Sequence, residues 1–183
     1  LAGGPPVRGI VHAAGVVDDG LVTQQSWEQF ENVLAPKVTG AWNLHQLSTH
    51  FPLDFFVLFS SSASLLPTPG QSNYAAANAF LDGLAAARRA AGQAAVSVGW
   101  GPWADAGMGA RVSTRDRERW QRHGIGSISV AQGTGLLMRM LEGAPPQVCV
   151  LPVDWRAFAA SYPADARPAI IKGLADGPRH RQP

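Results

Sequence analysis

"LDFFVLFSSSASLLPTPGQSNYAAANAF" runs from residue 53 to residue 80, and its reading decides the fold. The opening "LDFFVLFSS" is almost wholly apolar, as strands are when both faces of a parallel sheet are covered. "PTPGQ" is a turn. The alanine-rich run from about Asn73 to Ala91 predicts a helix closed by Gly92. A buried strand, a turn and a helix form the repeating unit of an open α/β sheet.

The same unit recurs on both sides. "VRGIVHAAG" is a short strand ending in small residues. In "SWEQFENVLAPKVTGAWNLHQLS", Trp27, Phe30, Val33, Leu34, Val38, Trp42 and Leu44 recur at helical spacing. Ser26 is a good N-cap there, with Gln29 as a weaker capping-box partner than Glu, and Pro36 is expected to kink the helix. Downstream, "AAVSVGWG" is a third strand. "SVAQGTGLLMRMLEGA" is a helix with Ser129 as candidate cap, "QVCVLPVDW" a fourth strand and "DWRAFAASY" a short last helix. Strands alternating with helices predict a parallel α/β sheet.

Composition narrows the function. The 183 residues suffice for a domain with a real core. A formal net charge of +2 lends no support to nucleic-acid binding. Much of the basic excess lies in "RVSTRDRERWQRH" and "RHRQ", which read as a solvated helix and a loose tail. One cysteine excludes an internal disulfide or a zinc site, and Cys149, in "VCVLPV", reads as a buried strand thiol. The five histidines share no ligand spacing, so no metal is assigned. His12 and His45 read as satisfied structural residues. No stretch approaches a membrane span and no signal peptide is seen, which points to a cytoplasmic, non-membrane setting. The start "LAGGPP" lacks a methionine and reads as a cut from a longer polypeptide.

In an open α/β sheet, ligands sit outside the carboxyl ends of the strands. The residues there are Ala13 to Gly15, Ser60 to Ser62, Gly99 to Trp103 and Val153 to Trp155. Ala13, Ala14 and Gly15 would let a flat or phosphorylated ligand approach the backbone, although plain packing accounts for them as well. Ser61 and Tyr74 would share one cleft. A phenol titrates near 10, so catalysis asks for a nearby cation. Lys37 is the candidate, its alternative being a chain that reaches outward to water. Asn78 lies one turn from Tyr74 and could hold Lys37 or a relay water; otherwise it is a surface residue. Together these groups point to carbonyl reduction with a nicotinamide as hydride source, although no Gly-rich dinucleotide fingerprint is present.

Five blocks in order, "VHAAGVVDDG", "PKVTGAWNLH", "FVLFSSSAS", "GQSNYAAANAFLDGLA" and "VGWGPWADAGM", resemble the C-terminal portion of a ketoreductase domain from a modular type I polyketide synthase. Such domains are similar to short-chain dehydrogenases/reductases. The resemblance spans about Val7 to Phe158. It implies a Rossmann-like doubly wound parallel sheet, truncated at its N-terminal half. Residues 1–163 would be the catalytic portion and residues 164–183 a linker toward a following domain. Most short-chain reductases carry Tyr-x-x-x-Lys. Here, as in the polyketide ketoreductases, Asn replaces that Lys and the lysine comes from the "PK" block. The resemblance therefore implies a tetrad of Lys37, Ser61, Tyr74 and Asn78, with Ser61 chosen because it stands thirteen positions before the tyrosine.

NADPH is the implied cofactor, with Ala13, Ala14, Gly15, Ser60, Pro102 and Trp103 near it. The implied substrate is a β-ketoacyl thioester on the phosphopantetheine of an acyl carrier protein, with other domains of the same synthase as partners. Asp19, Leu66, Pro69 and Asn73 follow the B-type pattern, which yields the D-configured hydroxyl; Val17 stands where that pattern has leucine. No proline follows Tyr74 at the second position, against the epimerising subtype. "DAGMGARVSTRDRERWQRHGIGSIS" would form a lid. Because the family's Gly-rich loop lies upstream, the chain alone is expected neither to bind NADPH tightly nor to reduce a ketone. The rival readings are a structural, degenerate ketoreductase and a stand-alone reductase of small ketones.

Overall fold

A computed structural model describes residues 4–66 and 68–175. The chain divides into two compact units, Leu1–Gly101 with Thr134–Val150, and Pro102–Gly133 with Leu151–Pro183.

The first unit is a four-stranded parallel sheet of β1 (Gly9–His12), β2 (Phe55–Ser61), β3 (Val96–Trp100) and β4 (Gln147–Val150), in that order. The α/β reading of the sequence is borne out. Phe56, Val57 and Leu58 of β2 are fully buried, so both faces of that strand are covered. Helix α1 (Trp27–Leu34) starts on Ser26, whose hydroxyl accepts from Gln29 N–H while the Gln29 amide oxygen accepts from Ser26 N–H. Helix α2 (Gly40–Ser48) and helix α3 (Ser72–Ala90) complete the layer. Ala41, Phe56, Leu58, Leu81, Leu84 and Ala85 form the core between helices and sheet.

At Pro36 the first long helix widens into a π-turn, Ala35–Thr39, between α1 and α2, with Gly40 N–H reaching Ala35 and Lys37 oxygens. Proline has no N–H to give the preceding turn, and one wide turn accommodates that loss. The π-turn also carries Lys37 into the interior, where it is 3% exposed.

Three readings of the sequence need correction. Cys149 is exposed on β4, which among the described residues pairs with β3 alone. His12 is buried and only partly satisfied: its ring interacts with the backbone at Pro36 and Lys37, while Nε2 has no hydrogen-bond partner among the described residues. His45 does have one, since its Nδ1 lies 2.9 Å from Arg88 Nη1. The third concerns the stretch read as linker. It contains a helix, α7 (Ala169–Ala175), whose Ile171 is fully buried; residues 176–183 lie outside the described residues.

A buried polar group ties α3 to the sheet. Asp82 accepts from Ser97 Oγ at 2.6 Å and from Gln147 Nε2 at 2.8 Å, and Ser97 is fully buried. Asp82→Ala is expected to lower stability by about 2 kcal/mol, because the Ser97 hydroxyl would lose its acceptor inside the core. A denaturant titration at constant m would measure it.

The second unit holds helix α4 (Thr114–Arg122), helix α6 (Trp155–Ala160), α7 and the first turn of helix α5 (Val130–Glu142). No side chain of α4 is buried, in keeping with a solvated helix. Ser129 caps α5 in a box with Gln132. Among the described residues no helix is long and apolar enough to cross a membrane.

Candidate active site

The site grows from the carboxyl end of β2. The β1 ladder ends at the His12–Leu58 pair, so Phe59 has no ladder partner on that side. Its carbonyl accepts from Lys37 Nζ at 2.9 Å. That ammonium lies 5.4 Å from the centroid of the Tyr74 ring. The approach depends on Gly15, where a Cβ would stand 2.9 Å from Lys37 Cε. Burial pushes the lysine down to about 8, and the Asp82 charge opposes that shift.

Tyr74 is buried at the start of α3. Its phenol is pushed up, not down. Burial is the main cause, Ser61 and Asn78 side chains offset it in part, and the Asp19 charge adds to it. The cation expected to favour the phenolate faces the ring, and desolvation outweighs it. A protonated phenol is the form that can give a proton away.

Ser61 ends β2 and caps the short 3₁₀ turn Ser62–Ser64, its Oγ accepting from Ala63 N–H at 3.2 Å. Its side chain also lies close enough to the Tyr74 phenol to offset the upward shift of that group. Asn78 is fully buried: Nδ2 donates to the Tyr74 carbonyl at 2.7 Å, while Oδ1 has no partner. An orphaned buried acceptor invites a donor such as water or an ammonium. Ser60, expected beside a cofactor, is buried with its hydroxyl on the Asn78 carbonyl at 3.2 Å, a bond that supports α3.

The loop after β1 is tied to α1 and α3. Asn73 is fully buried, with Nδ2 donating to the carbonyls of Asp18 at 2.9 Å and Gln29 at 3.1 Å. Its Oδ1 accepts from Tyr74 N–H at 2.7 Å. Asp19 is exposed and accepts from Gln71 Nε2 at 3.0 Å and 3.2 Å, and Gly20 N–H reaches the Gly70 carbonyl at 2.8 Å. Gly70 has φ +84°, a turn that favours glycine, next to the exposed Pro69. Leu66 is buried at the end of the preceding turn. Ala13 and Ala14 are exposed at the strand end.

Lys37, Ser61, Tyr74 and Asn78 therefore all lie in the first unit, as do Asp19, Leu66, Pro69 and Asn73. Pro102 and Trp103 belong to the second, where the Trp103 ring packs on Gly133 and its strand bridge is to Ile128. The amides of Gln25, Gln29 and Gln71 were not legible as part of the site. Gln25 bonds Ser72, and such pairs join residues some fifty positions apart.

A family model described as the KR domain matches residues 1–105. The chain is 46% identical over 179 residues to "Phenolphthiocerol synthesis polyketide synthase type I Pks15/1" of Mycobacterium bovis, covering 97% of this chain and 8% of that protein. It is 44% identical over its whole length to "Polyketide synthase GfsA" of Streptomyces halstedii, covering 2% of that protein. The chain thus spans less than a tenth of either relative. Among solved structures, "Structure of A-type Ketoreductases from Modular Polyketide Synthase" superposes with a TM-score of 0.83 at 36% identity, over 91% of this chain and 34% of that one. "PlmKR1-Ketoreductase from the first module of phoslactomycin biosynthesis in Streptomyces sp. HK803" gives 0.84 at 36% identity, over 94% and 39%.

Proposed function

The chain belongs to the KR domain family of modular polyketide synthases, and we propose that it carries the site at which a carrier-bound β-ketoacyl thioester is reduced to the 3-hydroxyacyl thioester. The observation that carries this is the buried Lys37 ammonium beside the protonated Tyr74 phenol, at a strand end that also holds Ser61.

Ser61 donates its hydroxyl proton to the ketone oxygen and orients the carbonyl. Tyr74 transfers its proton to that oxygen as negative charge develops, and Lys37 restores it. The restoring proton passes by way of a group on Asn78 Oδ1, the unfilled acceptor of the site. The hydride is what a reduced nicotinamide supplies when bound. The strand end fits such a flat group: Ala13 and Ala14 present only methyls there, and Gly15 leaves room for the lysine beneath. NADPH is the form proposed. An acyl carrier protein and neighbouring synthase domains are the proposed partners, in the cytoplasm.

For stereochemistry we propose the B-type outcome, a D-hydroxyl. Its support is that the Asp19 loop and the turn at Pro69 and Gly70 are bonded to each other, while Asn73, in the first turn of α3, bonds both the Asp18 carbonyl and the backbone of Tyr74. The likeness to an A-type structure is one of fold and leaves this choice to the loops. Chiral analysis of the product from a carrier-tethered β-ketoacyl thioester tests both parts. A D-3-hydroxyacyl product supports them, an L product overturns the stereochemistry, and recovered ketone overturns the reduction.

The lysine predicts the pH profile. Lys37 must hold its proton to restore that of Tyr74, and it loses it near pH 8. The reduction rate is expected to be flat from pH 6.5 to 7.5 and to fall about tenfold per pH above about 8.5. A rate that keeps rising to pH 9.5 would remove Lys37 from the proton path.

A further inference from the structure

Gln29 makes three contacts of different kinds at one point. Its Oε1 accepts from Ser26 N–H at 3.0 Å and caps α1. Its Nε2 donates to Asp18 Oδ1 at 2.9 Å. Its main-chain carbonyl accepts from Asn73 Nδ2 at 3.1 Å. The other Asp18 oxygen takes Asn32 Nδ2 at 3.3 Å. So the Asp18 carboxylate is held by neutral amides, and among the described residues neither Asp18 nor Asp19 has an ion pair.

A capping box ordinarily accepts Glu at least as well as Gln. At this position it cannot. A glutamate could still cap Ser26, but its second oxygen would stand about where Nε2 now donates, against the Asp18 carboxylate. Only an amide serves both neighbours, because it has an acceptor at one end and a donor at the other.

We infer that Gln29 is a positioning residue for the stereochemistry of reduction: its amide clamps the Asp18–Asp19 loop to α1, while its carbonyl holds the Asn73 side chain that supports Tyr74. This rests on the function proposed above. The clamp acts through Asp18 and Asn73 and touches no reacting atom. The ionisable groups on the elements packed here are Asp18 and Asp19 on the loop, Glu28 and Glu31 on α1, Lys37 in the π-turn, and Tyr74, Asp82, Arg88 and Arg89 on α3.

The test is Gln29→Glu in the full polypeptide that carries this domain, with Gln29→Met beside it. At pH 8 Gln29→Glu sets two carboxylates against each other, and the minor alcohol configuration is expected to rise about tenfold. At pH 5.5 the pair shares a proton and the product ratio is expected to return toward that of the unaltered domain. Gln29→Met removes donor and cap without adding charge, so its altered ratio is expected to be the same at both pH values.

Melting gives a second readout. A carboxylate pair with a raised folded-state pKa costs stability above that pKa and recovers it as pH falls through it. The melting deficit of Gln29→Glu should therefore shrink from pH 8 to pH 5.5. A Gln29→Glu product ratio equal to the unaltered one at pH 8, or altered equally at both pH values, would overturn the inference. If the unaltered domain reduces nothing, the proposed function fails instead. The melting comparison then decides the clamp, and a pH-independent deficit overturns it.

Discussion

Tyr74→Phe is expected to reduce the rate of ketone reduction by at least about a thousandfold, with the fold intact. The phenol is the one group at this strand end that is both protonated at neutral pH and beside a buried cation. Without it the ketone oxygen would gain charge with no proton to meet it, and general acid catalysis alone contributes about 10²–10⁴-fold. The ring remains, so its packing with Val33, Ala63 and Ala77 survives. Losing a hydroxyl from a buried site should leave the melting temperature within a few degrees. Reduction by the variant within tenfold of the unaltered rate would mean that Tyr74 is not the acid, and would favour a structural, degenerate domain.

Lys37→Met is expected to be equally inactive and yet no less stable at pH 7. The native side chain keeps a charge in the interior against the Phe59 carbonyl, and burial pushes its pKa down to about 8. The sign follows from linkage. A lysine whose folded-state pKa is depressed opposes folding while both states are protonated. It ceases to do so as pH rises from about 8 toward its ordinary 10.5. The unaltered protein should therefore gain stability from this group over that interval, and Lys37→Met should not. A methionine of similar length fills the same space without the buried charge. This is the pattern in which an active site gives up stability for function. A variant with lower stability at pH 7 and full activity would contradict both parts.

Much of the fold was legible because its period is strong. "FFVLF" between turns admits few readings, and the strand and helix of residues 53–91 fall where the pattern puts them, Phe55–Ser61 and Ser72–Ala90. The π-turn was not legible. Pro36 announces a disturbance of the helix, but whether a helix kinks or widens depends on what its next turn must reach, here the Phe59 carbonyl. Cys149 was misplaced because its apolar neighbours describe a strand without saying whether another strand lies beyond it. Helix α7 escaped notice because a seven-residue segment burying one isoleucine leaves almost no periodic trace.

The grouping of Lys37, Ser61, Tyr74 and Asn78 was legible chiefly through spacing and resemblance, and its electrostatics were not. From the sequence, Lys37 was a cation to draw out a phenolate. In the structure, burial keeps the phenol protonated and loosens the proton of the lysine instead. The glutamine amides that hold the loop had no local signal, apart from the unusual choice of Gln29 in a capping box. Their partners are set by the tertiary fold.

The central claim is that this strand end reduces a ketone by moving a proton from Tyr74. Its most direct test is a single-turnover assay of the full polypeptide with a carrier-tethered β-ketoacyl thioester and NADPH at pH 7. Cofactor oxidation and 3-hydroxyacyl product are followed together, with and without Tyr74→Phe. One cofactor oxidised per alcohol formed, abolished by the substitution, is the predicted result. Ketone recovered unchanged from the unaltered protein, or reduction that Tyr74→Phe leaves intact, would contradict it.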